Sequence, residues 1–342
     1  MWEDLGLSGR IIKECCAGLP KAARATSKVF IDYTIIIMIK KPVKNMVDKV
    51  DFSQTKHLLN RPIVYHLGIR GIGYLPTWLS YRIAERIADI SFVFYKRARE
   101  NVKKNLRNIF PGIPEKKISA IALKTFRNYS NYLVDFGRFG SLDKTSIFKT
   151  IKHIDGEDKI YRSLERGKGI IVLTAHLGNW ELGGIFFGRL NIKINVLTHK
   201  DEIDDINQIK TRYRESHNIN TIVLGDSPFS SLDVIKALQQ NEVVAMLVDR
   251  YGKEGGVEVD FFGKPTYFPL GPVVLGKITN AHIIPAFVVK EDKNNYRVIA
   301  DNPIEIPPDT TKEIKAYVQQ IARVFEKRIK QYPDQWYNFV PI

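Results

Sequence analysis

The sequence predicts an α/β protein, with a central, largely parallel or mixed sheet flanked by helices and a basic helical region in front of it. Beyond about residue 150, short runs of β-branched and aliphatic residues alternate with helical stretches, the order that builds parallel sheets. Between residues 63 and 104, apolar and aromatic residues recur at helical spacing among arginines and lysines instead. The 342 residues, 44% hydrophobic and 26% charged, provide enough apolar material for a large core, which excludes a disordered chain.

Residues 1–60 mix short apolar pieces with many lysines and read as a loosely attached N-terminal segment. Residues 61–342 form the main domain, helical to residue 145 and α/β from 146. In its helical part, Val64, Leu67, Ile72, Leu75, Leu79, Ile83, Ile87, Ile90, Val93 and Phe94 alternate with Arg70, Arg82 and Arg86, and the stretch closes in the basic run "YKRARENVKKNLRNIF". Two readings are open there, packing on a core or lying on a membrane with the basic side chains toward headgroups. Next come the strand candidates "GIIVLTA", "INVLTH", "NTIVLG", "VVAMLVD", "AHIIPAFVV" and "NYRVIA", with helical candidates near 179–190, 203–216, 230–240, 270–279 and 311–331.

The formal charge of +15 asks for an anionic partner: nucleic acid, a phosphorylated small molecule or an anionic membrane surface. The two cysteines, Cys15 and Cys16, are adjacent, which disfavours a structural disulfide and suits incidental thiols in a reducing compartment, with acylation of the pair near a membrane as the alternative. The sequence offers no run of about 20 apolar residues to span a bilayer and no secretory signal, so a cytoplasmic location is expected.

The chemistry concentrates in "GIIVLTAHLGNWELGG" (169–184), where an apolar strand runs into His176 and Glu181 stands five positions on. Positions i and i+5 of one helix lie about 140° apart around the axis. His176 therefore meets Glu181 most easily from the loop, with Glu181 on the following helix and Asn179 as its cap. His153 with Asp158 and His199 with Asp204 repeat the spacing, but "HIDGED" reads as a polar turn without an apolar strand before it, and "HKDEID" as a solvated helix start. Only His176 combines a buried strand, a glycine that permits close approach (Gly178) and an apolar helix behind, and ligands gather at such carboxyl ends of strands. The pair suits general base catalysis on a hydroxyl, with Glu181 holding the imidazole tautomer, and a structural histidine is the alternative.

No G-x-S-x-G occurs. "GPVVLGKI" (271–278) lacks the hydroxyl residue of a P-loop, "GIGYLP" breaks the dinucleotide fingerprint at Pro76, and no histidine–cysteine spacing suggests zinc. No metal and no bound cofactor are expected.

"TAHLGNWELGG", "VDRYGKEGGVEVDFFGKPTYFPLGP" (248–272) and "RIKQYPDQWYNF" (328–339) occur in this order, and together they resemble the bacterial lysophospholipid acyltransferase-like family. The relevant branch holds the lipid A late acyltransferases and the phosphatidylinositol mannoside acyltransferases, and the match covers roughly residues 62 to 340. The resemblance implies a glycerolipid acyltransferase-like fold for 61–342. It also implies acyl transfer from an acyl carrier protein or coenzyme A thioester to a hydroxyl of a membrane glycolipid or phospholipid. It maps the family's catalytic histidine and acid onto His176 and Glu181. Asp249 and Arg250 resemble its later acid–arginine block, suited to a phosphate or an oxyanion, with an ion pair of Arg250 to Asp249 or Asp260 as the alternative. Phe261, Phe262 and Gly263 resemble its "FFG", and the phenylalanines wall an acyl chain or pack in the core. Arg212 or Arg214 stands where the family carries a substrate-contacting arginine. Tyr251 departs from the acid of many relatives, the basic C-terminal tail is missing, and the 1–60 segment stands where relatives carry a transmembrane anchor. The lipid acceptor is left open by these departures.

The expected partners are thus anionic membrane lipids and an acyl thioester, with no nucleic acid, and the expected site of action is the cytoplasmic face of the inner membrane, held peripherally. A basic protein that binds membranes or nucleic acid without catalysis, and a hydrolase using the same dyad, are the competing readings.

Overall fold

The computed structural model describes residues 75–139, 144–189, 192–199, 204–224, 230–250, 256–292, 294–307 and 314–342, all within the unit Val50–Ile342. The 1–60 segment, residues 61–74, Cys15, Cys16 and Tyr251 lie outside the described residues.

Three helices open this part: α1 (Thr77–Phe94), α2 (Lys96–Ile109) and α3 (Glu115–Phe139). The helical stretch read through residue 104 therefore breaks at Tyr95. The basic run forms α2, whose Ala98, Val102, Leu106 and Ile109 are buried while Lys103 pairs with Glu115 of α3 at 3.3 Å. That run packs on a core along one face and keeps its charges on the other. No helix among the described residues is long and apolar enough to cross a membrane.

After the short α4 (Lys144–Phe148), the α/β part runs β1 (Ile151–Asp155), α5 (Glu157–Glu165), β2 (Ile170–Thr174), α6 (Trp180–Arg189), β3 (Ile194–His199), α7 (Asp204–Ser216), β4 (Ile219–Leu224), α8 (Ser230–Gln239) and β5 (Val243–Leu247). It continues through β6 (Gly256–Phe261), β7 (Lys264–Pro269), α9 (Gly271–Thr279), β8 (His282–Lys290), β9 (Tyr296–Ala300) and α10 (Ile314–Gln331). Seven strands form one sheet in the order β1-β9-β8-β2-β5-β3-β4, every neighbouring pair parallel except β8 with β9. This is the α/β fold with a mainly parallel sheet that the strand–helix alternation predicts.

β2 lies inside the sheet between β8 and β5, and its first four residues are apolar and buried because both its faces are covered. Ile171 and Leu173 enter a core shared with α2, α3, α8 and α10, while Ile170 and Val172 enter a second core beneath α6.

Two strand assignments differ from the sequence reading. "HIDGED" is not a turn lacking a strand, since His153 lies within β1. β1 is an edge strand with a register shift between Ile151 and His153 and only Ile151 fully buried, so its alternation is broken in sequence. β6 and β7 form a separate antiparallel hairpin. "FFG" makes its turn, with Phe262 and Gly263 both in the left-handed region (φ 54° and 71°), as a two-residue hairpin turn requires.

Candidate active site

Thr174, the last residue of β2, pairs in parallel register with Leu247, the last of β5. The chain leaves both strands on the same edge, and two residues later His176 stands opposite Asp249. The Asp249 carboxylate accepts three hydrogen bonds: His176 Nδ1 lies 2.7 Å from Oδ1, and the His176 backbone N–H and Trp336 Nε1–H donate to Oδ2 at 3.1 and 2.9 Å. The aspartate side chain is fully buried and the imidazole is one-fifth exposed. Burial raises the Asp249 pKa, but the imidazole, the nearby Arg250 and the Trp336 bond outweigh it and bring it to about 2. Burial, with the positive charges of Arg250 and Lys210, holds His176 below the usual histidine value against the pull of the carboxylate. The ring is therefore neutral at pH 7, with its proton on Nδ1 toward Asp249 and Nε2 left as the basic nitrogen.

The segment 333–339 braces this loop. Gly178 N–H donates to Gln335 O at 2.9 Å, Tyr337 N–H donates to His176 O at 2.8 Å, and Leu177 pairs with Trp336 as an isolated antiparallel bridge. Asn179 N–H reaches Val288 O of β8 at 2.7 Å. Gly178 is required there: its φ is +66°, and a Cβ would meet Val288 O at 2.0 Å. Asn179 Oδ1 accepts the Leu182 N–H at 3.0 Å and caps α6, as the sequence predicts.

Glu181, in the first turn of α6, does not form the contact expected of it. Its carboxylate is taken by Arg214 of α7 in a fork, Nε at 3.1 Å and Nη2 at 2.7 Å, with both side chains more than nine-tenths buried. Burial would raise the Glu181 pKa, yet Arg214, Lys210 and a bond from Trp180 keep it below the ordinary carboxylate value. The residue facing the imidazole is Asp249, which the sequence places in an acid–arginine pair for substrate. The reason is geometric: Glu181 is the second residue of α6 and points to α7, whereas parallel register carries Asp249 to the loop.

Of the two candidate arginines, Arg214 is the one at Glu181, and Arg212 is exposed on α7. Arg250 donates from Nε to Asn338 Oδ1 at 3.1 Å and from Nη2 to the Tyr337 carbonyl, so it ties the C-terminal segment to the end of β5, and no direct Arg250–Asp249 or Arg250–Asp260 bridge occurs. Asp260 pairs with Arg323. Phe261 packs edge-on and Phe262 at a tilt against Trp336, with ring centres 6.2 Å away in each case, and both belong to the buried core behind Asp249, while Gly263 belongs to the hairpin turn. His153 faces Glu291 on the surface at 2.6 Å.

An apolar cavity of about 70 Å³ lies between α6 and the sheet. Val172, Val196, Ala245, Ala286 and Val288 wall it, the small Gly183 and Gly184 leave it room, and Thr174, Glu181 and Arg214 supply its polar side. Trp336, Trp180 and Asn338 join the site without any signal in the sequence pointing to them. Trp180 packs edge-on against His176 with ring centres 5.2 Å apart. "DQWYNF" was visible as a motif, but nothing in the linear sequence ties it to His176.

An imidazole held by a buried carboxylate, with Trp180 between it and an apolar cavity, is compatible with acyl chemistry, and the sequence comparisons point the same way. The family model for the bacterial lipid A biosynthesis acyltransferases matches residues 7–341. The chain belongs to this family. Membership makes it an acyltransferase. It is 24% identical over 279 residues to the phosphatidylinositol mannoside acyltransferase of Mycobacterium tuberculosis, covering 78% of this chain and 86% of that protein. It is 25% identical over 282 residues to the lipid A biosynthesis palmitoleoyltransferase of Escherichia coli strain K12, and 27% over 283 residues to the lauroyltransferase of the same organism. Each of these two alignments covers 80% of this chain and 89% of the relative.

Proposed function

We propose that the protein transfers a fatty acyl group from an acyl carrier protein or coenzyme A thioester to a hydroxyl of a membrane glycolipid, with His176 as general base. The observation that carries this reading is the His176–Asp249 contact just beyond the end of β2, which leaves Nε2 as the basic nitrogen of a ring packed against Trp180, itself part of the cavity wall. The acceptor O–H gives its proton to Nε2 as its oxygen attacks the thioester carbonyl carbon. The tetrahedral intermediate then collapses, the C–S bond breaks, and the imidazolium returns the proton to the leaving thiolate. Asp249 fixes the tautomer and stabilises the imidazolium. Glu181 acts one step removed, holding Arg214 at the cavity wall, and the cavity takes part of the acyl chain. The half-buried Arg250, whose bonds go to neutral acceptors, adds positive potential where the oxyanion forms.

The reading places the protein peripherally at the cytoplasmic face of the membrane. No metal or bound cofactor enters the reaction. Purified full-length protein incubated with acyl thioester should release thiol only when glycolipid is added, and His176→Ala should abolish that release. Equal thiol release without lipid would identify a hydrolase instead.

A further inference from the structure

Helix α1 is built with its apolar side outward. Its buried residues are Ser80, Tyr81, Ala88 and Ser91, small or polar side chains at helical spacing that allow close packing on α3. Tyr81 is fastened inward through its hydroxyl to Asp135 of α3, and Lys290 of β8 reaches the same hydroxyl at 3.0 Å and Asp135 at 2.7 Å. The outward face carries Phe94 (77% exposed), Trp78 (68%), Val93 (63%), Ile90 (55%), Ile83 and Ile87. Seven of the ten large apolar side chains exposed among the described residues fall between Leu75 and Phe94, so the exposed apolar surface is concentrated there. A patch of this kind marks an interaction site.

We propose that the outward face of α1 is a seat for an anionic lipid bilayer, with the helix lying in the plane of the headgroups. This deepens the reading of the protein as a lipid acyltransferase and rests on it for the choice of a membrane as partner. The 18-residue helix is about 27 Å long at 1.5 Å per residue, and its charges prevent it from crossing the hydrocarbon. Exposed Arg82 and Arg86 share its outward half, and exposed Lys96 and Arg97 follow at the start of α2. Asp89, on the flank of α1, is occupied by Arg86 and Arg127. Apolar side chains between arginines that can extend to the headgroups are the composition of an interfacial helix.

Charge argues against the two other occupants. Residues 1–74 carry twelve Lys/Arg against six Asp/Glu, so they share the sign of the patch. A second copy docked two-fold on this face would bring Arg82, Arg86, Lys96 and Arg97 against their own equivalents. An anionic bilayer complements all of them.

The seat is tied to the catalytic loop through polar groups. Asp135 also accepts from Tyr296, whose hydroxyl lies 3.5 Å from Asn179 Nδ2. The Lys290 backbone bonds both ways to the Gln335 side chain, and Gln335 O holds Gly178.

The test uses full-length protein and sucrose-loaded vesicles of phosphatidylcholine with phosphatidylglycerol, or of phosphatidylcholine alone. The triple variant Ile90→Gln/Val93→Gln/Phe94→Gln, whose side chains are all more than half exposed, should melt like wild type and bind both vesicle types at least tenfold more weakly at high salt. Arg82→Gln/Arg86→Gln should weaken binding to the anionic vesicles only. Brominated lipid should quench a component of the tryptophan fluorescence that Trp78→Phe removes. Acyl transfer to detergent-dispersed acceptor should stay within twofold of wild type in the triple variant. Unchanged vesicle binding by the triple variant, no quenching at Trp78, or a change in oligomeric state of the free variant would overturn the seat. Vesicle binding as expected with no acyl transfer to any lipid would overturn the enzymatic reading and leave the seat standing.

Discussion

Replacing Asp249 by asparagine should nearly abolish turnover while leaving the fold in place. The carboxylate accepts from His176 Nδ1, from the His176 backbone and from Trp336. An amide of the same shape keeps one acceptor, which the backbone N–H and the Trp336 indole hold at the position of Oδ2. Its NH₂ group is then left facing Nδ1, where it demands an acceptor. The imidazole responds by carrying its proton on Nε2, and the base is lost at the position where it is needed. Loss of tautomer control and of the counter-charge together costs a comparable histidine–aspartate pair about 10⁴-fold in turnover. At about 1.36 kcal/mol per tenfold, that is about 5.4 kcal/mol of transition-state stabilisation. The assay is thiol release from the acyl thioester in the presence of glycolipid, with kcat and KM measured separately and the fold followed by circular dichroism. The loss should fall on kcat. A folded Asp249→Asn protein with wild-type kcat would refute the assignment of Asp249 and return the partner role to another acid.

Glu181→Gln should behave differently, because it leaves Arg214 charged and buried without its partner. Breaking such a pair costs about 3–5 kcal/mol, so a clear fall in melting temperature is expected by calorimetry, together with a loss of rate but an unmoved acid limb of the pH profile. An upward or downward shift of that limb would instead tie Glu181 to His176. Gly178→Ala should be destabilised by at least about 1–3 kcal/mol in chemical denaturation and lose activity, since the added Cβ meets Val288 O and the left-handed backbone is strained. The pH profile of kcat/KM should rise as His176 loses its proton, with its midpoint below about 6.5 because burial and Arg250 depress the folded pKa. By the same shift the unfolded chain binds the His176 proton first. The stability this group contributes is thus complete above about pH 6.5 and declines as pH falls toward the folded value, and His176→Ala should flatten that slope.

The α/β part was legible because its inner strands are covered on both faces and announce themselves as unbroken apolar runs, as "IIVLT" does in β2. β1 was not, since an exposed edge strand with a register shift carries neither an apolar run nor a clean alternation. His176 was legible from its place after a buried strand and before an apolar helix. Its contact with Asp249 was not, because 73 residues separate them and only the β2–β5 register joins them. The i+5 spacing favoured the near acid, Glu181, and a helix start that turns toward α7 defeated it. Trp336 is farther still in sequence and reaches Asp249 only because the C-terminal segment crosses the loop. In α1 the helical period could be read, but not which side faces inward. There the small and polar face is the buried one, the reverse of the usual rule.

The most direct measurement of the central claim is mass spectrometry of a glycolipid acceptor incubated with purified full-length protein and an acyl thioester, comparing wild type with His176→Ala. The account predicts a product heavier by one acyl group with wild type, in step with the thiol released, and a loss on the order of 10²–10⁴-fold in product with a folded His176→Ala protein. Undiminished product with His176→Ala, or thioester consumed by wild type with no acylated lipid formed, would contradict it.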